Sequence, residues 1–166
     1  MNFNDPGKIC VALAVWTAFG AGFVDAEQKD AAVMKHASGS FDVTLVPQAA
    51  DDKNAEPVVG RMTIDKQFHG DLEATGQGQM LAFRTDVKDS AGYVAMERVA
   101  GTLHGLKGTF ALQHSGTMDR GKPDLAVTVV PDSGTGELMG LSGRMTINIV
   151  EKKHLYEFDY KLPKRD

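Results

Sequence analysis

Hydrophobic and polar residues alternate along most of the chain from Gly39 onward. Clusters of Gly, Pro or Asp interrupt the alternation at intervals of roughly ten residues, as expected for strands joined by turns. A period of two is typical of β-strands with one buried face, whereas an amphipathic helix repeats every three to four residues. The pattern predicts eight strands, the third with a break or bulge at its glycines: residues 41–46, 61–68, 72–87, 93–103, 109–118, 125–130, 143–150 and 154–162.

Strands joined by short turns must protect their edges, and the two common solutions are a closed barrel and a two-sheet sandwich. We favour the barrel. The predicted fold class is therefore all-β, with an eight-stranded, mostly antiparallel β-barrel in a single domain over residues 39–163. The interior of a barrel of this size is either filled by side chains or holds one small ligand.

Three predicted hairpin turns, at residues 152–153, 69–71 and 105–106, set the register of the strands. The last of these places glycine at the first central position of a two-residue turn, as one primed turn type requires. The turns pair three sets of residues on one face: Ile147 with Phe158, Phe68 with Leu72, and Glu97 with His114.

Glu97 and His114 are the candidate catalytic residues because both fall on an otherwise apolar face. Burial raises the pKa of a carboxyl group and lowers that of a histidine, while their mutual attraction opposes both shifts, so such a pair can exchange protons near neutral pH. Two alternatives stay open: the pair is only structural, or a different loop sets Glu97 against Ser115 and Arg98 against His114. Further lumen residues predicted to contact a ligand are Tyr93, Lys66, Phe110, Leu112, Tyr156, Phe158 and Tyr160.

Composition and charge narrow the classes of partner. The chain has 166 residues, 42% of them hydrophobic, and a formal net charge of −4. This is enough apolar material for one domain, and the sequence has no cluster of Lys and Arg for nucleic-acid binding. We expect no nucleic-acid partner and no membrane span in the mature protein.

Residues 1–26 have the pattern of a secretory signal peptide, with Lys8 ahead of an apolar run over residues 9–19 and small residues before Glu27. A buried N-terminal helix is the alternative. The pattern predicts export to the periplasm or outside the cell, with residues 27–38 as an N-terminal arm. The single cysteine, Cys10, would be removed with the signal, and the histidines lack metal-binding spacing, so we expect neither a metal nor a cofactor.

Two sets of motifs resemble known families. Residues 134–143, Gly-Thr-Gly-Glu-Leu-Met-Gly-Leu-Ser-Gly, resemble the glycine-threonine-glycine signature of allene oxide cyclases and plant dirigent proteins. Residues 60–72, 90–99, 112–118 and 129–136 are similar to the bacterial domain-of-unknown-function family 3224, over about residues 40–162. The resemblance implies an allene-oxide-cyclase-like β-barrel and suggests a homo-oligomer. It implies no activity, since the family is uncharacterised and no cyclase catalytic residue aligns by position.

The leading hypothesis is an exported barrel that binds a small apolar or aromatic molecule in its lumen, with Glu97 and His114 as polar anchors. A second hypothesis is a cofactor-free isomerase or cyclase that uses Glu97 or His114 as general acid or base on a small hydrophobic substrate. A third is a non-catalytic structural or interaction protein whose lumen is packed solid.

Overall fold

The computed structural model describes residues 33–49 and 59–164. They form a closed antiparallel barrel of eight strands in which each strand pairs with its neighbours in sequence and the last pairs with the first, which confirms the predicted all-β fold class. The strands are β1 (Met34–Gln48), β2 (Gly60–Gly70), β3 (Leu72–Arg84), β4 (Ala91–Leu103), β5 (Leu106–Asp119), β6 (Lys122–Val129), β7 (Ser142–Val150) and β8 (Lys153–Lys161).

The first strand extends beyond its predicted start. β1 begins at Met34, so residues 34–38, assigned from sequence to the N-terminal arm, pair with β8 in the barrel wall. The predicted signal peptide, residues 1–26, and the remainder of the arm up to residue 32 lie outside the described residues. Among the residues that are described, none belongs to a helix with the length and apolar character that crossing a membrane requires.

The predicted break or bulge in the third strand is wrong. β3 keeps one register with β2 and one with β4 through Gly76 and Gly78, and it ends at Arg84 instead of residue 87. The glycines are required by close approach and not by a bend. A Cβ at Gly78 would overlap the backbone carbonyl of Met96, and a Cβ at Gly76 would overlap the carboxylate of Glu97.

All three predicted hairpin registers are wrong by two residues. The turn between β4 and β5 is His104-Gly105, and the turn between β7 and β8 is Glu151-Lys152. All four residues have positive φ, as a type I′ turn requires. In the β4–β5 turn, Gly105 is therefore the second of the two central residues, whereas the sequence pattern predicts it as the first. The observed partners are Glu97 with Leu112, His114 with Ala95, Ile147 with Tyr156 and Phe68 with Ala74.

The two-residue shift does not change which face each side chain occupies, because strand side chains alternate with a period of two. Glu97 and His114 therefore both point into the lumen, as the sequence predicts. The open alternative that paired Glu97 with Ser115 is excluded by the register.

One half of the lumen is packed solid. Phe110 stacks on Phe158 at 6.0 Å between ring centres, and Phe158 contacts Tyr160 at 5.4 Å. The connection between β6 and β7 closes this end with Leu138 and Leu141, both 1% exposed. Burying each such side chain contributes roughly 1.5 to 3 kcal/mol, so this half supplies much of the stability of the barrel.

The seam between β6 and β7 is the shortest in the barrel. Only two rows pair there, Val127 with Met145 and Thr128 with Arg144, whereas every other adjacent pair has at least eight. After β6 the chain stays against β5, where the amide of Thr135 donates to the carbonyl of Thr109 at 2.8 Å. Near the other end of β6, Pro123 has no amide hydrogen to donate to a neighbouring strand.

The turn geometry predicts opposite effects of glycine at two adjacent positions. Lys152→Gly relieves a left-handed backbone at φ 67° and should raise the free energy of unfolding by roughly 0.5 to 1 kcal/mol after the entropic penalty of glycine. Lys153→Gly, on the first residue of β8, is the matched control and should lower it. Urea titrations followed by circular dichroism measure both. Destabilisation by both variants to the same extent would contradict the turn assignment.

Candidate functional site

Three ionisable side chains meet inside the barrel, between the packed half and the open end. Lys66 Nζ donates to Glu97 Oε2 at 2.7 Å, and His114 Nε2 lies 3.0 Å from the same oxygen. The side chains of Lys66, Glu97 and His114 are only 6%, 0% and 4% exposed. We call these three residues the polar layer.

Two glycines on β3 allow Lys66 and Glu97 to meet across that strand. Lys66 is on β2 and Glu97 is on β4, so β3 lies between them. The β3 residue paired with Lys66 is Gly76, and the one paired with Glu97 is Gly78. Because neither glycine has a side chain, the lumen face of β3 leaves room for the lysine to reach the carboxylate.

Glu97 is held in its ionised form. Burial raises the pKa of this carboxyl group, but the hydrogen bond from His114 and the positive charge of Lys66 together outweigh it, so the pKa lies below its ordinary value. Its second oxygen, Oε1, is buried and has no hydrogen-bond partner among the described residues. The carboxylate is therefore compensated through one oxygen only.

Aromatic rings complete the environment of the lysine. The Lys66 ammonium lies 4.6 Å from the ring centre of Phe41 and 5.5 Å from that of Phe68. Both distances are within the range of about 6 Å over which a cation is attracted to a ring face. Glu97 accepts a hydrogen bond from one of the three N–H groups of the ammonium. The two rings stabilise the positive charge of Lys66 without using another N–H group.

A cavity of about 330 Å³ opens beside the polar layer, and we call it the mouth cavity. Each of the eight strands contributes at least one lumen-facing residue to it. Lys66 and His114 line it, whereas Glu97 does not. Its apolar wall includes Val43, Leu45, Ile64, Met80, Leu125 and Ile147.

A second cavity of about 450 Å³ adjoins the mouth cavity and shares Leu45, Met80, Tyr93, Leu125 and Ile149 with it. Burial, and then the negative charge of Glu97, raise the pKa of Tyr93, so its hydroxyl stays protonated at neutral pH. This hydroxyl has no hydrogen-bond partner among the residues described. Tyr93 therefore adds a free donor to the wall that the two cavities share.

The structure brings together four of the sequence-predicted site residues: Glu97, His114 and Lys66 in the polar layer, and Tyr93 in the cavity wall. The other five lie in the packed half and do not line the mouth cavity: Phe110, Leu112, Tyr156, Phe158 and Tyr160. Two of these serve the closed end, where Tyr156 accepts a hydrogen bond from the amide of Leu72 and Tyr160 bonds His104. Contact of these five residues with a ligand stays a prediction.

Sequence reasoning missed several residues of the site. Phe41 and Val43 on β1 line the mouth cavity, as does His154, which stacks on Phe41 at 5.0 Å. The sequence predicts a strand over residues 41–46, and the alternation of Phe41, Val43 and Leu45 along it was sufficient to assign them to the lumen face. At two lumen positions of β3 the sequence has glycine, Gly76 and Gly78, where the alternation predicts an apolar side chain. Glycine at such positions indicates that groups from a neighbouring strand occupy the space.

No group of three His, Cys, Asp or Glu side chains arranged to hold a metal occurs within residues 33–49 and 59–164.

Glu97→Gln should destabilise the protein near neutral pH by roughly 3 kcal/mol, because it leaves the Lys66 ammonium buried without a counter-charge. The folded-state pKa of Glu97 is lowered, so its ionisation stabilises the fold above the ordinary value of 4.5. This contribution is lost as the pH falls below that value and through the folded-state pKa. Urea titrations at several pH values should show the difference between wild type and variant shrinking on acidification.

The matched control is Lys66→Met combined with Glu97→Gln, which removes both charges and should recover part of the stability at neutral pH. A difference between wild type and Glu97→Gln that stays constant down to acidic pH would contradict the assigned ionisation.

The family profile described as "Protein of unknown function (DUF3224)" matches residues 37–160. A crystal structure of a protein of unknown function from the DUF3224 family, from Shewanella oneidensis MR-1, is 48% identical in sequence, with a TM-score of 0.75. The alignment covers 80% of this chain and 100% of that one. No curated protein matches the sequence. The resemblance to family 3224 inferred from the sequence motifs is thereby confirmed, and the chain belongs to the DUF3224 family.

Proposed function

We propose that this protein binds a small, mainly apolar or aromatic molecule in the mouth cavity of its barrel. The observation that carries the proposal is the composition of that cavity, which combines an apolar wall drawn from all eight strands with two buried polar side chains, Lys66 and His114. Small-molecule sites are typically concave, mostly apolar and oriented by a few polar groups, with volumes of roughly 300 to 1,000 Å³. The mouth cavity has these properties.

The contrast between the two halves of the lumen supports binding over a purely structural role. Aromatic and aliphatic side chains fill the closed half, where Phe158 and Tyr160 are fully buried. The open half instead contains the mouth cavity and the second cavity, of about 330 and 450 Å³. A barrel selected for stability alone would gain by filling this space.

The alternative of a cofactor-free isomerase or cyclase receives less support from the geometry. Glu97 does not line the mouth cavity and is held ionised by its two partners, so its contacts suit the positioning of Lys66 and His114. His114 does line the cavity and could exchange a proton with a bound molecule. The catalytic role of both residues stays a hypothesis secondary to binding.

Export is a proposal that rests on the sequence pattern of residues 1–26 alone. The homo-oligomer suggested by the wider barrel family is likewise a proposal, and ligand binding within a single lumen does not depend on it.

The proposed function is tested with the neutral fluorescent probe N-phenyl-naphthylamine. The wild type should bind it with enhanced fluorescence, and Met80→Trp, which adds bulk to the wall shared by both cavities, should weaken binding roughly tenfold or more. Gln79→Trp is the matched control, since Gln79 points outward from the same strand and should leave affinity unchanged.

Circular dichroism of each variant establishes that the barrel is intact. If Met80→Trp alters the fold, Ile147→Trp with the outward Asn148→Trp as its control tests the same cavity from β7. Probe binding that is equally insensitive to the lumen and the outward substitutions would refute the proposed site.

A further inference from the structure

Resting on the proposed function, we propose that the bound molecule is a monocarboxylic acid. Its carboxyl group lies against Lys66 and His114, and its apolar body occupies the mouth cavity. Three properties of the polar layer point to this chemical class of ligand: its unused hydrogen-bonding groups, its charge and its surroundings.

Two nitrogens of the polar layer, on Lys66 and His114, keep hydrogen-bonding capacity that Glu97 does not use. Lys66 Nζ retains N–H groups beyond the one given to Glu97, and a lysine has no acceptor, so a ligand must offer it an oxygen. His114 uses Nε2 toward Glu97, and its Nδ1 has no hydrogen-bond partner among the described residues. Both residues line the mouth cavity, so a molecule inside it can meet the remaining N–H groups of Lys66 and the Nδ1 of His114. A carboxyl group offers two oxygens for these two partners, whereas an alcohol offers one.

The charge of the polar layer requires that a carboxylate is taken up together with one proton. The positive charge of Lys66 and the negative charge of Glu97 cancel, and with a neutral His114 the polar layer carries no net charge. A bare carboxylate would place an uncompensated charge in an apolar cavity, which is costly. If one proton from solvent binds His114 Nδ1 as the carboxylate enters, the bound state contains imidazolium and carboxylate side by side and stays neutral overall.

The other ionisable groups around His114 are compatible with this protonation. Glu97 and Tyr93 on β4, Lys66 on β2 and His154 on β8 are the ionisable residues that bond it or line the same cavity. The carboxylate of Glu97 and the ammonium of Lys66 carry opposite charges beside the imidazole, while the hydroxyl of Tyr93 stays protonated. The described residues that line the mouth cavity include no carboxylate, and the positive charge of Lys66 offsets the negative charge of Glu97 behind it. Arg84 and Asp124 line only the second cavity.

The test compares naphthoic acid with naphthalenemethanol, which have the same ring system and differ in the head group. Each displaces N-phenyl-naphthylamine from the protein, and each is titrated calorimetrically at pH 8. The wild type should bind the acid roughly tenfold more tightly than the alcohol. Calorimetry in two buffers with different ionisation enthalpies should give an uptake of roughly one proton for each acid bound, and none for the alcohol.

Two variants assign these effects to residues. His114→Gln can still donate to Glu97 but cannot take up a proton, so it should bind the acid without proton uptake and with reduced preference. Lys66→Met with Glu97→Gln removes both charges together and should abolish the preference while the neutral probe still binds. His69→Gln is the matched control, since His69 is a half-exposed histidine that does not line the mouth cavity, and it should behave as the wild type.

The two proposals fail in different ways. Equal affinity for acid and alcohol, with normal probe binding, would overturn the carboxylic acid and leave the mouth cavity as a binding site. Proton uptake that persists in His114→Gln would overturn the role of His114. Absence of binding by the probe, the acid and the alcohol would overturn the proposed function itself.

Discussion

A buried carboxylate shared by an ammonium and an imidazole is the interaction around which the lumen of this barrel is organised. Glu97 is fully buried, and such a charge persists in an apolar interior only when partners offset its desolvation. Lys66 can reach it because β3 carries glycine at residues 76 and 78, and the rings of Phe41 and Phe68 lie beside the ammonium. Residues on the four strands β1 to β4 are thus constrained by one ion pair.

The polar layer separates a tightly packed half of the lumen from an open half. On one side aromatic and aliphatic side chains pack tightly beneath the connection that carries Leu138 and Leu141. On the other side the lumen is open, and the polar layer borders it. Replacing a buried ion pair by apolar residues of similar volume is often neutral or stabilising, so its presence here is not explained by stability. It is explained if Lys66 and His114 are presented to a ligand.

The sequence predicts the barrel and the inward direction of Glu97 and His114, because both depend only on the alternation of side chains. It does not predict the register, because that depends on which residues adopt left-handed backbone in the turns. Glu151 and Lys152 do so without being glycine, and no local pattern marks them. Lys66 and Glu97 meet across an intervening strand. Residue pairs predicted from hairpin turns join adjacent strands only, so they do not predict this contact. The division of the lumen depends on packing of the chain after β6, where residues 130–141 follow β5 and cover one end.

The short pairing of β6 with β7 gives the cylinder wall one segment that is weaker than the rest. Local opening of a protein occurs where the fewest backbone hydrogen bonds and packed contacts must be broken, and here two rows hold the seam, Val127 with Met145 and Thr128 with Arg144. A barrel in which every strand is fully paired with its neighbours has a fixed circumference. A barrel that opens along one seam can widen while its other strands stay paired, so we expect local opening of this barrel to begin between β6 and β7.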